Sequence, residues 1–147
     1  MTMRRWALPC LLICVVGCGT SRPSRSEQRA TARSFAEAVV AGHVDAARSY
    51  VAKNADPAVR EQASRLSAAF ARAPGHLIGN PRRSGTAQWA FAYRKRVNGK
   101  KGAFSRERGV LVVDTASDSP GVSFAAILGR QIAYSTHHDS ELLPSKR

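Results

Sequence analysis

The hydrophobic pattern of the chain changes period once, from helical spacing in its first half to alternation in its second. Ala32, Phe35, Ala36, Val39 and Val40 recur three and four residues apart, which is one face of an amphipathic helix. It is expected to begin near Glu27 with Ser26 as its cap and to end at Gly42. Ala46, Ala47, Tyr50 and Val51 make a second, shorter apolar face after the break at His43-Val44. Asp56-Pro57 predicts a third start, because the carboxylate can accept orphan amide hydrogens and Pro is tolerated at the first helical position. Val59, Ala63, Leu66 and Phe70 supply the buried side of that helix, and Pro74-Gly75 stops it.

Beyond Gly75 a short strand is expected from His76 to Gly79, followed by a turn through Asn80-Pro81. Ala87, Trp89, Phe91 and Tyr93 then alternate with Gln88, Ala90, Ala92 and Arg94, so one face of this strand is aromatic and belongs to the core. Val110 to Val113 form an apolar run inside the next strand, and Val122 to Leu128 another after the turn Asp118-Ser119-Pro120-Gly121. The fold class is therefore α+β: three N-terminal helices packed on a curved antiparallel sheet of about four strands.

Charge fixes how the two long strands pair. A two-residue Asn98-Gly99 hairpin would set Arg106 and Arg108 opposite Phe91 and Trp89 and bury them. A loop of odd length, either a type I turn with a glycine bulge or the whole Asn98 to Gly102 segment, shifts the parity by one. Arg94, Arg96, Arg106 and Arg108 then share the solvent face, while Leu111 and Val113 join the aromatic residues. The odd loop is the one expected.

The first eighteen residues have a different character. Arg4 and Arg5 precede an apolar stretch from Trp6 to Val16, and small residues follow, in the three-part layout of a secretory signal. The stretch is shorter than the roughly 20 apolar residues that span a bilayer. It ends in Val15-Val16-Gly17-Cys18, which resembles the lipobox of bacterial lipoproteins, with an aliphatic residue three before the cut and a small one just before it. That resemblance implies a diacylglyceryl group on the Cys18 thiol, cleavage ahead of it by signal peptidase II, and acylation, commonly with palmitate, of the new amino group. Cysteine usage agrees: Cys10, Cys14 and Cys18 are the only cysteines, so a chain cut before Cys18 keeps one thiol and no internal disulfide. One acyl chain holds a protein marginally, at roughly 0.8 kcal/mol per buried methylene, whereas two or more hold it stably.

The expected organisation is a signal peptide over 1–17, a lipidated cysteine and flexible tether over 18–26, an α+β domain over 27–134 and a polar tail over 135–147. The expected location is the bacterial cell envelope, exported and anchored to a membrane surface.

Composition matters chiefly through charge. The chain carries a formal charge of +13, and losing Arg4 and Arg5 with the leader leaves +11. Nine cations lie between Arg82 and Arg108, namely Arg82, Arg83, Arg94, Lys95, Arg96, Lys100, Lys101, Arg106 and Arg108, against the single carboxylate of Glu107. Such a balance suits anionic lipid, an anionic wall polymer or an acidic protein. Nucleic acid would suit the charge as well, but export removes the domain from it, so none is expected.

Helices followed by a curved sheet, with Phe35-Ala36-Glu37-Ala38 and then Gly42-His43-Val44-Asp45-Ala46-Ala47, resemble the cystatin-like cone of the nuclear-transport-factor-like, SnoaL-like superfamily. The likeness would cover Glu27 to about Leu128. It implies a concave sheet that, with the helices, encloses either a pocket or packed side chains, and it leaves activity open.

Two functions compete on this sequence. One is a non-catalytic binding or accessory module whose basic hairpin face, Arg94, Arg96, Arg106 and Arg108, meets an anionic partner. The other is a small cavity enzyme with a buried Asp or His as general base, for which Asp114 is the candidate and His76 a weaker one. His137-His138-Asp139 offers potential metal ligands, but neighbours in sequence do not readily converge on one ion, so no metal site and no cofactor are expected. A thiol nucleophile is excluded by the cysteine count, and neither a phosphate-cradling glycine loop nor a Ser/His/Asp arrangement is evident.

Overall fold

The computed structural model describes residues 22–98 and 104–135. Three helices come first: α1 (Arg25–Ala41), α2 (Val44–Ser49) and α3 (Pro57–Ala71). Four strands follow, β1 (Gly75–Arg83), β2 (Gln88–Asn98), β3 (Phe104–Thr115) and β4 (Val122–Ser135), in one antiparallel sheet of order β1-β2-β3-β4. This is the α+β architecture that the two hydrophobic periods predict.

Capping chemistry decides where α1 begins. The hydroxyl of Ser24 accepts from the Glu27 amide at 3.3 Å, and the Glu27 carboxylate accepts from the Ser24 amide at 2.5 Å. Ser26, the expected cap, has Arg29 three residues on and cannot make this reciprocal pair, so the helix starts earlier. Arg25 and Ser26 therefore belong to the domain and not to the tether. At the other end Gly42 closes α1 in the left-handed conformation, φ 77°, and a Cβ there would lie 2.6 Å from the Ala71 backbone, so it also lets α1 meet α3. Asp56 caps α3 as expected, accepting from the Ala58 amide at 2.8 Å with Pro57 in the first turn.

Two strands run further than their sequence suggests. β1 does not turn at Asn80-Pro81; it shifts register between Ile78 and Arg82 and continues to Arg83. An edge strand tolerates proline because one side of its backbone needs no partner. β4 passes Leu128 and continues to Ser135, through a shift that leaves Gly129 and Arg130 opposite Gly109 alone. Gly129, at φ 60°, takes the left-handed position of that bulge. Ser135 is thus strand and not tail. Cys18, Lys100, Lys101 and the segment His137-His138-Asp139 lie outside the described residues.

The helices cover one face of the sheet. Trp89, Phe91, Tyr93, Leu111, Val113, Val122 and Ala125 pack there against Phe35, Ala36, Val39 and Val40 of α1 and Ala63 and Phe70 of α3. Phe35, Val39, Tyr93 and Val113 are wholly buried, each worth about 1.5–3 kcal/mol in area removed from water. Phe70 meets Tyr93 edge to face at 5.1 Å between ring centres. The opposite face of the sheet carries the alternate residues, and exposed Ile78, Phe124 and Leu128 among them lie under no described helix.

Candidate functional site

The β2–β3 hairpin closes at Asn98 and Phe104, leaving five connecting residues, so the loop is odd and the parity is the expected one. Arg94 stands opposite Arg108 and Arg96 opposite Arg106, all on the face turned away from the helices. Arg96, Arg106 and Arg108 are exposed, while Arg94 is half-buried with an Nε that has no hydrogen-bond partner. Like charges directly across a ladder cost roughly 0.2–1 kcal/mol per pair. A recess of about 480 Å³ lies beside them, lined by Arg106, Arg108, Gln131, Ile132 and Ala133. Guanidinium forks present only donors, the complement of the acceptor oxygens of phosphate, carboxylate or sulfate groups.

The same hairpin has a second charged site on its inner face. Following Trp89, Phe91 and Tyr93, the next inward position on β2 is Lys95, and its partner on β3 is Glu107. Both are buried, at 7% and 2% exposure. Glu107 accepts from the Tyr93 hydroxyl at 2.9 Å and from Arg130 Nη2 at 3.0 Å, with Arg130 Nε 3.0 Å from its other oxygen as an ion pair and the Lys95 ammonium 3.8 Å away. Lys95 donates to the Ala69 carbonyl at 3.2 Å and sits 4.7 Å from the centre of the Phe70 ring. Burial pushes the Glu107 carboxyl upward, but the hydrogen bonds from Arg130 and Tyr93 and the charge of Lys95 outweigh it and hold the group below its ordinary value. Burial, and then the hydrogen bond to Glu107, raise the Tyr93 phenol well above its usual range.

Two glycines shape this inner site. A Cβ on Gly109 would come within 2.6 Å of the Tyr93 hydroxyl and 2.7 Å of its ring carbons, so Gly109 leaves the space that the phenol fills. Without the Gly129 bulge, the strict alternation of β4 would turn Arg130 to the outer face; the extra residue turns it inward, onto Glu107. Lys95 and Glu107 thus leave the cationic surface inferred for residues 82–108. Sequence reasoning missed this cluster, although extending the aromatic alternation by one step would have placed Lys95 inside.

The cavity-enzyme residues are not brought together. Asp114 lies on the outer face, accepting from the Gln88 amide at 2.7 Å, and His76 is exposed on that face opposite Arg94. Glu107 is the buried carboxylate beside the aromatic strand, but its oxygens are taken up by Arg130 and Tyr93, and an acid held ionised is a poor proton acceptor. Arg83 spends its guanidinium on the Gly85 and Thr86 carbonyls of the β1–β2 turn. Among the described residues no group of three or more His, Cys, Asp or Glu side chains could hold a metal, and no helix is long and apolar enough to cross a membrane.

No protein family matches the chain, and no curated protein does. Solved structures share its fold, among them a computationally designed 17-OHP binder, at a TM-score of 0.51 and 10% identity over 74% of this chain and 96% of that one. At that identity the likeness shows the fold alone.

Proposed function

We propose that this chain is an exported lipoprotein, held at a membrane surface through Cys18, whose domain is a non-catalytic binding module for an anionic polymer of the cell envelope. The observation that carries the binding half is the pair of facing arginine rows, Arg94–Arg108 and Arg96–Arg106, on a sheet face that the helices leave uncovered. The carboxylate of Glu107, on the same strand as Arg106 and Arg108, is turned inward and shared with Arg130 and Lys95. The anchor rests on the lipobox resemblance. The cystatin-like assignment belongs to this proposal too; the helix-first order and the four-stranded meander support it.

Geometry makes the two halves compatible. α1 begins seven residues after Cys18, and its first turns pack near Trp89 and Ala116, at one end of the sheet. Arg96 is seven residues along β2 from Trp89, about 24 Å at 3.4 Å per residue. A tether attached at the first end leaves the arginine rows at the end of the sheet far from the point of attachment.

Two measurements test the proposal. Mass spectrometry of the native product should find an acylated N-terminal cysteine, and an unmodified thiol or an intact leader would remove the anchor. Purified protein should bind poly(glycerol phosphate) with an affinity that falls steeply as salt rises, and absence of binding at low salt would remove the polymer.

A further inference from the structure

We propose that a second site, the cleft between α1 and Trp89, binds the phosphate of an anionic phospholipid headgroup. Arg25, Arg29 and Arg33 stand one turn apart along α1 and, with Ser26, Ala30 and Trp89, line a cavity of about 590 Å³, within the size range of small-molecule sites. Among the described residues neither Arg25 nor Arg29 has an acidic partner, while Arg33 shares its charge with Glu37 at 2.9 Å.

The cleft is costly to the fold unless an anion is bound. Like charges one turn apart weaken a helix, and a cation in the first turn opposes the helix dipole, so the Arg25–Arg29–Arg33 stripe works against α1. A bound phosphate relieves that repulsion, since at neutral pH it offers only acceptors to the guanidinium donors. The apolar wall formed by Trp89 and Ala30 suits the glycerol and first methylenes of a lipid better than a bare ion.

Position selects the source of that phosphate, and here the inference rests on the lipid-anchor reading. Arg25 is seven residues from Cys18, within about 25 Å even for a fully extended chain. An anchored domain therefore opens this cleft beside the headgroups of its own membrane, while the arginine rows of the hairpin lie at the far end of the sheet.

Trp6 and Trp89 are the only tryptophans, so a full-length chain carrying Cys18→Ser and Trp6→Phe reports from Trp89 alone. Its fluorescence should shift saturably with dihexanoyl phosphatidylglycerol below the micelle concentration, and at least tenfold more weakly with inorganic phosphate or dihexanoyl phosphatidylcholine. Arg25→Gln with Arg29→Gln, both exposed and both replaced by a good helix former, should weaken the phosphatidylglycerol response at least tenfold. Arg48→Gln with Arg60→Gln, the same loss of charge elsewhere on the helices, should leave it unchanged. Equal affinity for inorganic phosphate would overturn the lipid assignment, and an unshifted spectrum, or equal loss in both variants, would overturn the site. Because the titration uses an unlipidated chain, its failure is separate from that of the anchor, which the mass of the native product decides.

Discussion

The β2–β3 hairpin carries charge on both faces, and the two faces treat it differently. Inside, one carboxylate meets two cations and a phenol: Glu107 is hydrogen-bonded by Arg130 and Tyr93 and flanked by Lys95, and Lys95 is further held by the Ala69 carbonyl and the Phe70 ring. Outside, two pairs of arginines face each other across the same ladder at a cost to the hairpin. Buried charge has to be matched within the fold, because desolvation is expensive and the unfolded chain does not bear it. Exposed charge keeps its water and needs no such match within the fold. The inner cluster thus serves the core, while binding is the role proposed for the outer rows.

This contrast is sharpest at Glu107. Glu107→Gln leaves Lys95 and Arg130 without their counter-charge, and removing one partner of a buried pair costs about 3–5 kcal/mol. Thermal unfolding should show the midpoint falling by about 10 °C or more, while polymer binding measured below the new midpoint stays at the wild-type level. Adding Lys95→Met to Glu107→Gln should restore part of that loss; a double variant less stable than the single one would break the pairing.

The pH dependence follows from the same group. The folded-state pKa of Glu107 is depressed, so its contribution is present above the ordinary value of 4.5 and is lost as pH falls through the lower folded value. The stability gap between wild type and Glu107→Gln should therefore narrow below about pH 4.5 and stay constant between pH 6 and 8. A gap unchanged down to pH 2 would show that Glu107 acts through packing and not through charge.

Smaller effects are expected at the two glycines. Gly109→Ala forces the Tyr93 ring to move and should cost about 1–3 kcal/mol in denaturant unfolding. Gly129→Ala meets no neighbouring atom, so only the left-handed backbone opposes it, at about 1 kcal/mol. The smallest change in stability is expected on the outer face: Arg94→Ser with Arg108→Ser should alter it by less than about 1 kcal/mol and in the stabilising direction, since a like-charge pair is removed.

Much of this arrangement was legible in the sequence, and the exceptions share a cause. Wherever a residue's role follows from its own chemistry and its near neighbours, the reading held: Gly42 and Asp56-Pro57 bound their helices, and Trp89, Phe91 and Tyr93 took the core face. The hairpin parity also held, because burying Arg106 and Arg108 against aromatic rings would be prohibitive. The same parity put Lys95 and Glu107 inside, but a charged residue at an inward position is sensible only when its partners are known, and one of those partners is Arg130 on a third strand. Arg130 reaches Glu107 through a bulge at Gly129, which alternation along β4 cannot reveal. The start of α1 was misplaced by preferring the nearer serine over the one with Glu27 three residues on.

The division of labour between the two faces is tested most directly by separating position from net charge. Affinity for poly(glycerol phosphate) should be measured for two variants of equal charge, Arg94, Arg96, Arg106 and Arg108 all changed to Ser, and exposed Arg48, Lys53, Arg60 and Arg72 all changed to Ser. At about 0.5 kcal/mol for each exposed contact, the first should bind roughly 30-fold more weakly than wild type and the second within about threefold of it. Equal losses in the two would mean that the polymer senses only the overall charge, and the outer face of the hairpin would not be a site.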